Sequence, residues 1–162
     1  MRLARALAAA LLLAAALPAS AAAFSGRVSH VTDGDTLWVR PLQGGAPRQV
    51  RLTGIDAPEI CQAHGTAARD ALAALVQGRM VTVRTQGRDV YKRLLGRAGT
   101  PHDADLGAWM VAHGQAWSVG WRKSGGPYAA QQARARRARL GLWAGPAPLE
   151  PRLFRKRHGS CH

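Results

Sequence analysis

The sequence predicts an α+β domain, a small β-barrel with helices inserted between and after its strands. Two kinds of pattern predict it. Short runs rich in Val, Leu, Thr and Trp recur with polar turns between them over residues 27–54 and again over 79–98. Three further segments space their apolar residues three or four positions apart, as on one face of a helix.

Five strands are predicted, from the runs RVSHV, TLWVR, QVRLTG, RMVTVRT and LLGRA, which begin at positions 27, 36, 49, 79 and 94. The pair Asp33–Gly34 separates the first two runs and is typical of a tight turn between antiparallel strands. In the third run, alternation places Val50 and Leu52 on one face and Arg51 on the other.

Three helices are predicted, over residues 65–78, 105–114 and 124–141. The first places its apolar side chains on one side: Ala68, Leu72, Leu75 and Val76. The second has Asp105 as its N-cap and Gly114 as its stop. The third has Pro127 near its first position and Gly141 after its end.

The N-terminal segment 1–23 has the pattern of a secretory signal peptide: two arginines, an Ala/Leu run and small residues before a cleavage site. An uncleaved membrane anchor is the alternative, although the apolar run is short for a span. Its removal would leave one domain over 24–145 and a basic tail over 146–162. We therefore expect a secreted or periplasmic protein that is not inserted in a membrane.

The composition is strongly basic, with 23 Lys and Arg residues against nine Asp and Glu and a formal net charge of +14. Such a protein favours polyanions as partners, whether nucleic acid, an anionic membrane surface or acidic polysaccharide. Charge alone does not choose among these three.

The chain contains two cysteines, Cys61 and Cys161. Export to an oxidising compartment favours a disulfide between them, which would tie the tail to the segment just after Glu59. The basic tail residues Arg155, Lys156 and Arg157 would then lie near the acidic loop that carries Glu59. Two unpaired thiols are the alternative. The spacing of the cysteines and histidines does not favour a zinc site.

Four of the nine acidic residues fall between positions 33 and 59: Asp33, Asp35, Asp56 and Glu59. If the strand ending at Gly54 lies beside the strand starting at Thr36, Asp35 and Asp56 meet at one end of the sheet. Two carboxylates that close repel each other unless a proton or a cation intervenes. A hard cation such as calcium, which takes oxygen ligands, would relieve this repulsion and attract phosphate.

The motifs VTDGDTLWV, VRLTGIDAPE, DVYKRLLGR, DLGAWMVAHGQAW and ARARRARLGLW occur here in the order found in the staphylococcal nuclease family. The resemblance covers about residues 27–143. It implies an OB-type five-stranded barrel with three α-helices. It also implies calcium-dependent hydrolysis of DNA and RNA that leaves 3′-phosphorylated ends.

The resemblance also implies roles for individual residues. Asp35, Asp56 and the backbone carbonyl of Ala57 would bind Ca²⁺, and Asp33 would lie just outside these ligands. Glu59 would position or deprotonate the attacking water. Two arginines would bind the phosphate and stabilise the transition state; they are Arg51 and Arg93.

The sequence departs from the family pattern around the second arginine and near the substrate base. Lys92 stands where the family motif has Gly, so its backbone must adopt an angle that glycine adopts more easily. The tyrosines that cover the base have no clear counterpart. Candidates for nucleic-acid contacts are therefore Tyr91, Lys92 and Trp121.

Two other classes of protein remain as alternatives. A non-catalytic nucleic-acid-binding barrel of the OB type would explain the charge, but it has no need of acids that repel its ligand. A basic cell-surface adhesion domain leaves the acidic cluster unexplained. The default expectation for the oligomeric state is a monomer.

Overall fold

A computed structural model describes residues 22–120 and 125–161. Five strands form a closed barrel in the order β1-β2-β3-β6-β5, and two short strands, β4 and β7, pair separately. The strands are β1 (Ala23–Asp33), β2 (Thr36–Pro41), β3 (Arg48–Leu52), β4 (Ile55–Asp56), β5 (Met80–Arg88), β6 (Leu94–Gly99) and β7 (Trp117–Ser118). The predicted α+β class and five-stranded barrel are confirmed.

Four α-helices are found in the described part of the chain: α1 (Gly65–Val76), α2 (Leu106–Ala112), α3 (Ala129–Arg137) and α4 (Pro151–His158). A 3-10 turn, Gly141–Ala144, follows α3. The fourth helix lies in the segment expected as a basic tail. Every helix in these ranges falls short of the length and apolarity needed to cross a membrane.

The core fills the barrel and extends beneath the first two helices. Val50 and Leu52 are buried while Arg51 is only partly so, as the alternation predicted. Leu72 from α1 and Met110 from α2 are fully buried against the barrel. Burying each such side chain contributes about 1.5–3 kcal/mol. The core thereby fixes the strand ends that carry the acidic residues.

The third predicted helix is present, and its start lies slightly later than expected. It begins at Ala129, two residues after Pro127, which was expected near its first position. Ser118 explains the difference: its hydroxyl accepts a hydrogen bond from the Tyr128 N–H (3.0 Å) and donates one to the Gly125 carbonyl (2.7 Å). These bonds tie residues 125–128 to β7, so the chain turns helical only after Tyr128.

Candidate active site

The turn between β1 and β2 presents Asp35 at one end of the barrel. Asp33 pairs in register with Thr36, so the turn contains only Gly34 and Asp35. Asp33 Oδ1 accepts a hydrogen bond from the Asp35 N–H (3.0 Å), which fixes the turn. A Cβ at Gly34 would lie 2.7 Å from the Cβ of Ala57, so only glycine fits against the neighbouring loop.

Arg51 connects the two aspartates that were expected to meet. It is the register partner of Thr36, which places it beside Asp35. One guanidinium nitrogen donates to Asp35 Oδ1, and the other donates to Asp56 Oδ1 at 2.9 Å. The structure therefore brings Asp35, Arg51 and Asp56 together at the end of the sheet.

The loop that follows Asp56 carries Glu59 and is held by several short contacts. The Ala57 N–H donates to Asp35 Oδ2 at 2.9 Å. The Gln62 N–H donates to the Glu59 carbonyl (2.8 Å), and Gln62 Oε1 accepts from the Glu59 N–H (3.2 Å). A Cβ on Gly65 would lie 1.9 Å from that carbonyl, so α1 begins in close contact with the loop.

Asp35 is a buried carboxyl whose pKa is raised by its surroundings. Its residue is 2% exposed, and this burial raises its pKa to about 7. The charge of Arg51 opposes the rise in pKa, whereas the charges of Asp33 and Asp56 add to it. Burial also acts to lower the pKa of Arg51, but the charges of Asp35 and Asp56 outweigh burial and raise the pKa of Arg51. The cluster therefore favours additional positive charge.

The free acceptor positions of the two aspartates fit a hard cation. A carboxylate oxygen can accept two hydrogen bonds. Oδ1 of Asp35 accepts hydrogen bonds from Thr36 and Arg51. Oδ1 of Asp56 accepts hydrogen bonds from Arg51 and Arg155. Oδ2 of each has only one donor among the described residues. One acceptor position on each Oδ2 thus remains for a metal.

Side chains alone would not complete the coordination of such a cation. Within residues 22–120 and 125–161, no group of three or more His, Cys, Asp or Glu side chains could hold a metal ion. Calcium takes six to eight oxygens and readily includes carbonyls and waters. The Ala57 carbonyl, water and substrate phosphate would supply the remaining oxygens beside Asp35 and Asp56.

Arg93, in the loop before β6, pairs with an acid outside this cluster. Its Nε donates to Asp89 Oδ2 at 2.7 Å, and its guanidinium lies 5.4 Å from the centre of the Tyr91 ring. Hydrogen bonds from Arg93 outweigh the burial of Asp89 and hold the pKa of that carboxyl below its usual value. Leu95, two residues after Arg93, pairs in register with Arg51, so Arg93 lies just before the strand that neighbours β3.

The other predicted nucleic-acid contacts have different outcomes. Tyr91 is 76% exposed and available for contact with a substrate. Lys92 has a φ of 65°, the left-handed conformation that the family's glycine would adopt without strain. Trp121 lies outside the described residues.

The structure adds Arg155, from α4, to the site. It donates to Asp56 Oδ1 (3.1 Å) and Oδ2 (3.0 Å) and to Glu59 Oε1 (2.7 Å). Burial opposes the positive charge of Arg155, but its hydrogen bonds to both carboxylates raise its pKa. The sequence predicted that the disulfide would bring Arg155 near the acidic loop together with Lys156 and Arg157, but it did not single out Arg155.

The predicted disulfide between Cys61 and Cys161 is present, with the two Cα atoms 5.8 Å apart. It joins the segment after Glu59 to the end of α4. Gln62 adds a second link, because its Nε2 donates to the Leu149 carbonyl at 2.6 Å. The tail is thus tied back beside the acidic loop.

A closed barrel with arginine-bridged carboxylates at one end has the features of an enzyme that acts on phosphate esters. The family model described as "Staphylococcal nuclease homologue" matches residues 49–145. The chain therefore belongs to the staphylococcal nuclease family, and it is a phosphodiester-hydrolysing endonuclease.

Several relatives are similar over nearly their whole length. A protein of Shigella flexneri named "Micrococcal nuclease" is 40% identical over 164 residues, covering 94% of this chain and 91% of the relative. "Protein ParB" of Escherichia coli is 38% identical, with coverages of 94% and 90%. An "Uncharacterized endonuclease" of Escherichia coli O157:H7 is 35% identical, with coverages of 86% and 90%.

Proposed function

We propose that the chain is a calcium-dependent nuclease that hydrolyses both DNA and RNA and leaves 3′-phosphorylated ends. The observation that carries this proposal is the meeting of Asp35 and Asp56 at one guanidinium, with one acceptor position on each Oδ2 left unused by residues 22–120 and 125–161. Asp35 and Asp56, with the carbonyl of Ala57, would hold the ion. When bound, calcium would supply Lewis-acid polarisation of a phosphate oxygen.

The chain's own residues account for the other steps of hydrolysis. Arg51 and Arg93 bind the phosphate oxygens and stabilise the charge that grows on them in the transition state. Glu59 either takes a proton from the attacking water or holds that water in line. The water oxygen bonds to phosphorus and gives up a proton to Glu59 or to solvent. The bond to the 5′ oxygen breaks, and that oxygen takes up a proton from solvent, so the products are a 3′-phosphate and a 5′-hydroxyl. Asp33 maintains the turn that positions Asp35.

Substrate contacts outside the phosphate come from the loop before β6. Tyr91 and Lys92 lie on its exposed side, and Trp121 is a further candidate for stacking on a base. Neither stacking nor phosphate contacts distinguish DNA from RNA, which supports action on both.

The nuclease acts outside the cytoplasm as a monomer, secreted or periplasmic, after residues 1–23 are removed. The basic, apolar and small-residue order of that segment supports export, although residues 1–21 lie outside the described part of the chain. A disulfide is consistent with an oxidising compartment.

Digestion of single-stranded DNA and of RNA with calcium or with a chelator tests the function directly. We expect both polymers to be cut only with calcium. The DNA ends should become extendable by a polymerase only after phosphatase treatment, because they carry 3′-phosphates. Equal cutting with chelator would refute the metal requirement, and binding of both polymers without cutting would favour the non-catalytic barrel.

A further inference from the structure

Arg155 contacts two carboxylates that have different proposed roles. Asp56 is a proposed metal ligand, and Glu59 is proposed to position or deprotonate the attacking water. Its two terminal nitrogens contact both oxygens of Asp56 and one oxygen of Glu59, at 2.7 to 3.1 Å. A planar guanidinium fixes its partners in one geometry more strictly than an ammonium does. The side chain is partly buried, with 32% of its surface exposed.

The fold holds this arginine in place from both ends of α4. Gln62 anchors the chain just before the helix through the Leu149 carbonyl, and Pro151 is buried at its first position. The disulfide to Cys61 anchors the chain just after the helix. Both anchoring residues, Gln62 and Cys61, belong to the loop that carries Glu59, so α4 and this loop form one connected unit.

The remaining acceptor positions leave room for a water and a cation while Arg155 stays in place. Arg155 donates only to Oε1 of Glu59, and no other described residue donates to Oε2, which therefore remains for a water. It uses one acceptor position on Asp56 Oδ2 and leaves the other for a cation. Two guanidinium groups and one divalent cation would together balance four carboxylates: Asp33, Asp35, Asp56 and Glu59.

We infer that Arg155 is a positioning residue of the nuclease site. Arg155 orients Glu59 toward the attacking water and sets the distance between Glu59 and Asp56, and the disulfide-anchored helix α4 holds Arg155 at the site. The inference rests on the role proposed for Glu59. A site that loses Arg155 would keep its metal ligands but lose the alignment of Glu59. Misplacement of a catalytic group by about 1 Å can cost about 10²-fold in rate.

The test compares Arg155→Ala with Arg157→Ala in the oxidised full chain. Arg157 lies on the same helix, is exposed and carries the same charge. We expect Arg155→Ala to lower kcat on single-stranded DNA about 10²-fold, with KM unchanged and calcium bound at least as tightly by calorimetry. Arg157→Ala should match the wild type in all three measurements.

A double-mutant cycle shows whether Arg155 acts through Glu59. In the Glu59→Gln background, Arg155→Ala should lower kcat far less than in the wild type, because residues that act as a unit are not additive. If Arg155→Ala does not fold, Arg155→Lys replaces it in the cycle. An ammonium lacks the fixed planar donor geometry of a guanidinium, so kcat should fall between wild type and about 10²-fold below it.

A dithiol reductant tests the contribution of the anchor. Two electrons and two protons from the dithiol convert the bridge to two thiols, and the dithiol becomes a cyclic disulfide. We expect the reduced protein to have a lower kcat than the oxidised protein, and the double variant Cys61→Ser/Cys161→Ser to have a similarly lowered kcat. The reductant should leave the kcat of the double variant unchanged.

Several results would overturn the inference. A kcat for Arg155→Ala equal to the wild type would make the residue a bystander, and a higher one would make it an inhibitor that blocks the site. Full additivity with Glu59→Gln, or a fall in kcat accompanied by lost calcium binding, would make its role merely structural. If the wild type cuts DNA equally well in chelator, the proposed calcium dependence is refuted instead. The kcat values of Arg155→Ala and Arg157→Ala can still be compared in that case, so the role of Arg155 is tested separately.

Discussion

Replacing Glu59 by Gln removes one negative charge from the site while keeping the shape of the side chain. Glu59 shares Arg155 with Asp56, a proposed metal ligand, and its side chain is 20% exposed. A general base contributes about 10²- to 10⁴-fold to a rate, and each factor of ten corresponds to about 1.36 kcal/mol of barrier. We therefore expect kcat to fall at least about 10²-fold, a rise of about 3 kcal/mol in the activation free energy.

The free energy of unfolding should change much less. The Glu59–Arg155 pair is partly solvated, with side-chain exposures of 20% and 32%, so its loss costs at most about 1 kcal/mol. The amide oxygen of Gln can still accept the hydrogen bond from Arg155. The variant should therefore fold and bind DNA, which separates a loss of chemistry from a loss of structure.

The assay follows the rise in absorbance as single-stranded DNA is cut in calcium, with the melting temperature measured on the same samples. Glu150→Gln is the matched control, because it is the same substitution at an exposed residue outside the site. A Glu59→Gln variant that keeps wild-type kcat would remove Glu59 from the mechanism and defeat the proposed catalytic role.

Two further predictions concern the free energy of unfolding. Lys92→Gly should stabilise the protein by about 1 kcal/mol, because it relieves the left-handed φ of 65°. That relief is worth about 1–2 kcal/mol and exceeds the cost of the added chain entropy, about 0.4–1 kcal/mol. Urea unfolding measures the change, and equal stabilisation by Lys92→Ala would contradict the backbone explanation. Cys61→Ser/Cys161→Ser opens a loop between residues 100 apart and should lose up to about 4.7 kcal/mol in the same assay, whereas an unchanged midpoint would argue against the bridge.

The strands around Asp35 and Arg51 could be predicted because their information is local. The Asp-Gly pair marks the turn, and the alternation of Val50 and Leu52 determines which face Arg51 occupies. Pairing of the two strands then follows from the short connections. This part of the site depends on neighbours in sequence, so the sequence was sufficient.

The contacts that could not be predicted depend on residues far apart in the chain. Arg155 reaches Glu59 across 96 positions, and the start of α3 is delayed by a serine ten positions before Tyr128. Periodicity gives no information on such partners. The cysteine pair did predict that the tail returns to the acidic loop, but not which of its basic residues enters the site.

The cysteine bridge has a consequence for the cell that makes this enzyme. Thiols stay reduced in most cytosols, so a chain held there would lack the covalent tie between Cys61 and Cys161. Without that tie, α4 would keep only its non-covalent contacts with the loop that carries Glu59. The redox state of the surroundings would therefore set how much active nuclease a given amount of this protein provides.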